Sequence, residues 1–361
     1  MLLPPAEGYT TRTLRLGNIT IGGGAPVSVQ SMCNTDTRDL EATGAQIMAL
    51  AAAGCEIIRC AVPDMEAAVA LKELVRISPM PLVADIHFDY RLALQSLDAG
   101  VACLRINPGN IGARWKVAEV VEACRDRQVP IRIGVNGGSL EAELLERYGH
   151  ATAAAMVESA LGHIHILEDL NYPLLKVSLK TSDVRRTVEA YRMLAHKVDY
   201  PLHVGITEAG TTWAGTIKSA AGLGALLCDG IGDTLRVSLT GDPVEEVRVG
   251  WELLKALGLR QRGPVFISCP TCGRCQINLI DVAEEVEQRL AGLQTPLTIA
   301  IMGCVVNGPG EAREADLGIA GGKDIGLLFR HGAKLRSVPQ DQLADALVAE
   351  ALDLDAQLRG K

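Results

Sequence analysis

The sequence predicts an α/β fold: an N-terminal (β/α)8 barrel of the TIM type over residues 1–260, followed by a small C-terminal α/β domain over residues 261–361. Between residues 26 and 239, short apolar runs rich in β-branched residues alternate with longer Ala- and Leu-rich amphipathic segments. Such alternation marks repeated βα units, and eight of them within about 250 residues suit a closed barrel. An open, doubly wound sheet fits less well, because no Gly-rich dinucleotide loop follows the first strand.

In chain order the strand candidates are PVSVQS from Pro26, CEIIRCAV from Cys55, PLVADIH from Pro81, ACLRIN from Ala102, PIRIGVN from Pro130, LLKVSLK from Leu174, PLHVGITE from Pro201 and TLRVSL from Thr234. A helical stretch over 243–257 closes this unit. From Gly263 a second alternation begins, with strand candidates at 265–268, 297–302, 317–320 and 325–329 and helices near 279–290 and 340–358.

At 361 residues and 48% hydrophobic, the chain can bury two cores. No segment reaches the roughly 20 apolar residues that span a bilayer. The stretch over 47–62, for instance, is broken by Glu56 and Arg59. The opening MLLPPAEGYT meets Pro4 and Pro5 too early for a signal peptide, so the expected location is the cytoplasm. A net charge of −8 argues against a nucleic-acid surface, which needs a basic face. The ten cysteines are not expected to form a disulfide framework in a reducing compartment. Cys33, Cys55, Cys60, Cys103, Cys124 and Cys228 are scattered and mostly flanked by apolar residues, and read as small buried hydrophobes.

Side chains two apart in a strand share a face. By that parity Asp85 lies with His87, Arg105 with Asn107, Arg132 with Asn136, Lys176 with Ser178 and Lys180, and Arg236 with Ser238, while Arg59 sits mid-strand in the same fashion. The intervening Val, Ile and Leu residues suit the helix-facing side. Barrel axes are ordinarily filled by branched apolar side chains, so an axis lined by Arg and Lys demands compensating anions. Asp85, Glu208 and Asp233 are too few. A multiply anionic ligand, most simply a diphosphate, is the natural complement, because guanidinium forks bind phosphate oxygens in pairs. The alternative, an internal salt-bridge network, would leave buried charges short of partners. After the seventh strand, Glu208-Ala209-Gly210 leads through Gly215 to Lys218 and Gly222-Leu223-Gly224, in a region where barrels commonly cradle phosphate.

The sharpest local pattern is Cys269-Pro270-Thr271-Cys272-Gly273-Arg274-Cys275, joined at a distance by Cys304 in Gly303-Cys304-Val305-Val306-Asn307-Gly308-Pro309-Gly310-Glu311. A C-x-x-C turn brings two thiolates within reach of one metal centre. A redox dithiol would need no distant third cysteine, and a zinc ribbon would need a second pair or a His. For an iron–sulfur cluster the fourth ligand could be Cys275 or Glu311. Four thiolates would make a saturated electron carrier, whereas three and a displaceable carboxylate would leave one iron open to substrate.

Taken together, these residues resemble the 4-hydroxy-3-methylbut-2-enyl diphosphate synthases, reductive iron–sulfur enzymes of the methylerythritol phosphate route to isoprenoids. The motifs that carry the resemblance run nearly end to end: Val29-Gln30-Ser31-Met32, Val83-Ala84-Asp85-Ile86-His87-Phe88-Asp89-Tyr90, Leu104-Arg105-Ile106-Asn107-Pro108-Gly109-Asn110-Ile111-Gly112, Gly205-Ile206-Thr207-Glu208-Ala209-Gly210, Gly230-Ile231-Gly232-Asp233-Thr234 and both cysteine arms. The resemblance implies one [4Fe–4S] cluster on Cys269, Cys272, Cys304 and Glu311, with Cys275 outside the ligand set. It also implies a head-to-tail homodimer with shared active sites. The implied reaction is a two-electron reductive ring opening of 2-C-methyl-D-erythritol 2,4-cyclodiphosphate, fed by flavodoxin or ferredoxin as a one-electron donor. On this reading Arg59, Arg105, Arg132, Lys176 and Arg236 hold the cyclic diphosphate, Asn107, Asn136, Lys180, His203 and Ser238 hydrogen-bond to it, and Glu208 delivers a proton. Two rival readings are an electron carrier on Cys269, Cys272, Cys275 and Cys304, and a phosphate-binding barrel with a structural zinc domain.

Overall fold

A computed structural model describes residues 9–304, 310 and 313–360. The chain separates into two compact units, Met1–Arg260 and Gln261–Lys361. The first opens with an antiparallel hairpin, β1 (Leu14–Leu16) and β2 (Ile19–Ile21). Eight parallel strands follow: β3 (Ser28–Met32), β4 (Ile57–Ala61), β5 (Leu82–Asp85), β6 (Cys103–Ile106), β7 (Ile131–Asn136), β8 (Leu175–Lys180), β9 (His203–Val204) and β10 (Thr234–Leu235). Their spatial order is β8-β7-β6-β5-β4-β3-β10-β9. A parallel bridge between Val177 and Leu202 joins the two ends, so the sheet closes into a TIM barrel. All eight apolar runs supply a barrel strand.

The helices are α1 (Leu40–Ala53), α2 (Met65–Ile77), α3 (Tyr90–Asp98), the single turn α4 (Pro108–Ile111), α5 (Arg114–Arg127), α6 (Ala142–Tyr148), α7 (Ala153–Asp169), α8 (Val184–Ala195), α9 (Thr212–Cys228) and α10 (Pro243–Ala256). Several begin where a short polar side chain takes up a free backbone N–H. Asp39 accepts from Ala42, Asp64 from Ala67, Thr152 from Ala155 and Asp183 from Arg186. Outward-facing Ile58, Ala84, Leu104, Ile133 and Val177 pack with Ile47, Leu71, Leu97, Val121, Leu167 and Leu194 of the helices. Each large apolar side chain buried this way contributes about 1.5–3 kcal/mol.

The axis-facing side is apolar only at its floor. There Ile57, Val83 and Cys103 pack against Leu14, Leu16 and Ile21, so the hairpin plugs the barrel's N-terminal end. Sequence patterning did not reveal this plug, because strands of 3 residues are too short to show a period. The last two barrel strands are shorter than their runs suggest. Beyond Val204 the chain bends through Glu208 at φ 52 and Gly210 at φ 114, although the Arg236 N–H still donates to the Val204 carbonyl at 3.0 Å. Five of the six scattered cysteines are buried, but Cys228 is exposed because it ends α9 off that helix's buried stripe.

The second unit consists of β11 (Val265–Ser268), α11 (Leu279–Leu290), β12 (Thr298–Met302), β13 (Leu317–Ala320), β14 (Ile325–Arg330), β15 (Ala333–Pro339) and α12 (Leu343–Arg359). Its sheet follows chain order, with β11, β12 and β13 parallel and β14 and β15 antiparallel. Leu279, Val286, Leu290, Leu347 and Leu354 of the two helices pack on Ile299, Ile301, Ile319 and Leu328. β15 escaped the sequence reading because most of it is exposed, so it lacks alternation; its pairing with β14 is set by a turn with His331 at φ 46 and Gly332 at φ 74.

Candidate active site

Strand register assembles the site. Asp85, Arg105, Arg132 and Lys176 lie side by side on β5 to β8, in register across four neighbouring strands and therefore on one face. Arg132 is only 1% exposed and Lys176 0%. Arg59, Arg105 and Lys180 are also buried, and Arg236 is half-buried. Within this cluster Asp85 is the shared carboxylate. Arg105 Nη1 donates to it at 3.0 Å, and Arg59 Nε stands 3.7 Å away.

Two further groups steady the cations, and sequence patterning found neither. Glu246, on α10, lies 3.2 Å from Arg236 and accepts from the Ser31 hydroxyl and the Leu239 N–H. The Met32 sulfur accepts from Arg59 Nε at 3.1 Å and Nη2 at 2.8 Å. Met32 was visible in principle, since it shares strand parity with Gln30 on the first run. Glu246 was not, because nothing in a helix sequence says which charged residue turns inward.

The charges do not balance. Arg105 Nε, Arg132 Nε and Nη1 and Lys176 Nζ are buried with no hydrogen-bond partner among the described residues. Burial pushes the Lys176 ammonium down to about 8, and the nearby Arg132 and Arg59 push the same way, against Cys103 and Asp233. Burial and the surrounding guanidiniums likewise lower Lys180 well below its ordinary value. For Asp85 burial acts upward, but Arg59, Arg105 and Arg132 outweigh it and hold the carboxylate below its usual range. This is the electrostatic signature of a basin that lacks negative charge.

Glycines make the room. A β-carbon at Gly134 would sit 2.5 Å from Arg105 Nε, and one at Gly205 would sit 2.7 Å from Lys180 Nζ. Around the rim, Asn107 follows β6 and caps α4, its Oδ1 accepting from the Gly109 N–H at 3.0 Å. Asn136 stands in register with Lys180, and Ser238 is half-buried beyond β10. His203 is 0% exposed and has both ring nitrogens engaged: Nδ1 is 2.8 Å from Thr234 Oγ1 and Nε2 is 3.2 Å from Lys180 Nζ. Burial and the adjacent Lys180 hold its pKa well below the ordinary value. Glu208 is exposed in the loop after β9 rather than at the strand end where it was expected, and Asp233 binds Thr11 Oγ1 and the Leu202 N–H instead of the cations.

In the second unit the cysteine arms follow adjacent parallel strands: Cys269 comes directly after β11 and Cys304 shortly after β12. The Gly303 N–H donates to Cys269 Sγ at 3.2 Å, which ties the arms together. Cys272 is exposed, and hydrogen bonds from the Arg274 N–H and side chain hold its thiol below the usual value. Cys275 Sγ lies 3.2 Å from the Ile277 carbonyl and packs on Gly303, where a β-carbon would stand 2.6 Å from it. Glu311 lies outside the described residues. Among the described residues no three Cys, His, Asp or Glu side chains gather tightly enough to hold a metal ion.

Fold and site define a two-unit α/β protein: a TIM barrel with a cation-rich axis and a smaller sheet with cysteines just beyond the ends of two neighbouring strands. Residues 11–251 match the model of the GcpE TIM-barrel domain, and residues 265–353 that of the GcpE protein C-terminal domain; the chain belongs to the GcpE family. It is 71% identical over 340 residues to the 4-hydroxy-3-methylbut-2-en-1-yl diphosphate synthase (flavodoxin) of Geobacter sulfurreducens, covering 94% of this chain and 96% of that one. The synthase of the same name from Clostridium perfringens is 58% identical over 338 residues, covering 94% and 97%. Among solved structures, a truncated 3-deoxy-D-arabino-heptulosonate 7-phosphate synthase from Thermotoga maritima aligns with TM-score 0.50 at 11% identity, covering 70% of this chain and 92% of that one. That likeness is one of fold alone.

Proposed function

We propose that the chain works as its named relatives do: it is an oxidoreductase that reductively opens 2-C-methyl-D-erythritol 2,4-cyclodiphosphate to 4-hydroxy-3-methylbut-2-enyl diphosphate in isoprenoid precursor synthesis. The observation that carries this reading is the set of buried Arg105, Arg132 and Lys176 donor atoms without partners among the described residues, beside an Asp85 carboxylate already engaged by Arg105 and Arg59. A cyclic diphosphate supplies the missing charge and acceptors. Arg59, Arg105, Arg132, Lys176 and Arg236 bind its phosphate oxygens. Asn107, Asn136 and Ser238 orient the carbon skeleton by hydrogen bonds. Lys180 reaches the ligand from a position fixed by its hydrogen bond with His203 Nε2.

The donor set of the second unit fits an iron–sulfur group. Cys269 and Cys304 follow neighbouring strand ends, and Cys272 is biased toward thiolate. We assign Cys269, Cys272, Cys304 and Glu311 as ligands of one [4Fe–4S] cluster. When bound, that cluster supplies single electrons and a Lewis-acidic iron. The overall change consumes two electrons and releases one substrate oxygen as water, and we assign delivery of the proton for that departure to Glu208, exposed in the loop after β9. The relatives' name points to flavodoxin as the electron source. The same reading places the chain in the cytoplasm as a homodimer; among the described residues no helix is long and apolar enough to cross a membrane.

The test is anaerobic turnover by reconstituted protein supplied with the cyclic diphosphate and a strong one-electron reductant. The linear allylic diphosphate is the expected product. Its absence, with iron and sulfide shown to be in place, would refute the assignment.

A further inference from the structure

Two rim segments meet on one buried imidazole. His163, on α7, is 4% exposed. Its ring lies against Gly109, where a β-carbon would stand 3.0 Å from His163 Cε1 and 3.3 Å from Asn107 Oδ1. His163 Nε2, 3.6 Å from that same β-carbon position, lies 3.0 Å from Glu141 Oε1 without a hydrogen bond to it, and Glu141 Oε1 accepts from Ser159 Oγ at 3.1 Å. Glu141 precedes α6 and follows the short turn Gly137–Ser139 that begins directly after Asn136. One side chain thus touches the turn that carries Asn107 and the loop that leaves Asn136.

A buried imidazole costs desolvation that a leucine of similar size would not. What the imidazole adds is a flat ring packed on Gly109 with a polar edge held beside Glu141. Asn107 needs that turn held still. With Oδ1 committed to the Gly109 N–H, its Nδ2 is the group left to donate outward. If Gly109 shifts, the amide is free to rotate and the donor direction is lost.

We infer that His163 is a positioning residue: packed on Gly109 and beside Glu141, it holds the Asn107 amide in the orientation that donates to substrate, and it braces the Asn107 turn against the Asn136 loop. The geometry stands by itself, while the consequence for substrate rests on the diphosphate reading above.

The experiment compares His163→Leu and His163→Gln with wild type in the full-length holoenzyme. Thermal unfolding of His163→Leu should match wild type. Its KM for the cyclic diphosphate should rise about ten-fold while kcat stays within about two-fold, the size expected for one misdirected hydrogen bond. His163→Gln, which keeps a polar end beside Glu141, should restore KM. In an Asn107→Ala background His163→Leu should raise KM no further, because both changes act through one group. Amide exchange over residues 107–112, measured without substrate, should quicken in His163→Leu. Unchanged exchange, unchanged KM or additive KM effects would each overturn the inference. Should wild type fail to turn over the cyclic diphosphate, the functional proposal falls, and the exchange comparison still decides whether His163 holds the turn.

Discussion

Replacing Lys176 with Met removes a buried ammonium but keeps an unbranched side chain of nearly the same length. In the folded protein the Lys176 Nζ has no hydrogen-bond partner among the described residues and is 0% exposed. A pKa lowered from 10.5 to about 8 means that holding this charge at neutral pH costs the fold about 3 kcal/mol. The folded pKa lies below the unfolded one, so the penalty is full below pH 8. It disappears as pH rises toward 10.5, because the native state sheds its proton before the unfolded chain does. Lys176→Met should therefore be more stable than wild type at pH 7 in buffer free of polyanions, by up to about 3 kcal/mol, and the advantage should fade between pH 8 and 10.5. Saturating pyrophosphate should reverse the order, since the anion stabilises only the charged basin. Urea titration followed by tryptophan fluorescence reads the barrel selectively, because Trp115, Trp213 and Trp251 all lie in the first unit. A variant less stable than wild type at pH 7 without anion would refute the argument, since Lys176 would then have a stabilising partner.

Two other outcomes test different parts of the site. Gly134→Ala places a methyl group 2.5 Å from Arg105 Nε and must displace that guanidinium; KM for the cyclic diphosphate should rise at least about ten-fold, the loss of one charge-assisted hydrogen bond, with iron content unchanged. Anaerobic iron and sulfide analysis should find a full cluster in Cys275→Ser, whose native thiol is directed at the Ile277 carbonyl, and none in Cys304→Ser; the reverse pattern would support the four-thiolate carrier.

The barrel was legible because β-branched runs and amphipathic segments alternate over a long enough stretch for local rules to add up. Parity also put Asp85, Arg105, Arg132 and Lys176 on inward faces before any register was known. The elements that patterning missed were those without a period. Strands β1 and β2 are too short, and β15 is too exposed, for apolar spacing to reveal them.

By itself the sequence determined which residue types alternate, where helices are capped and which thiols have ligand spacing, since each of these depends on neighbours a few positions away. Only the tertiary structure decided that Asp85 serves several cations at once, that Glu246 turns inward from α10 to meet Arg236, that His203 spends both nitrogens on Thr234 and Lys180, and that His163 bridges two rim segments. Those facts join residues 20 to more than 30 positions apart, or sit on a helix whose charged side chains all look alike in sequence. Strand register and helix packing bring them together, and with them the excess of buried positive charge on the barrel axis.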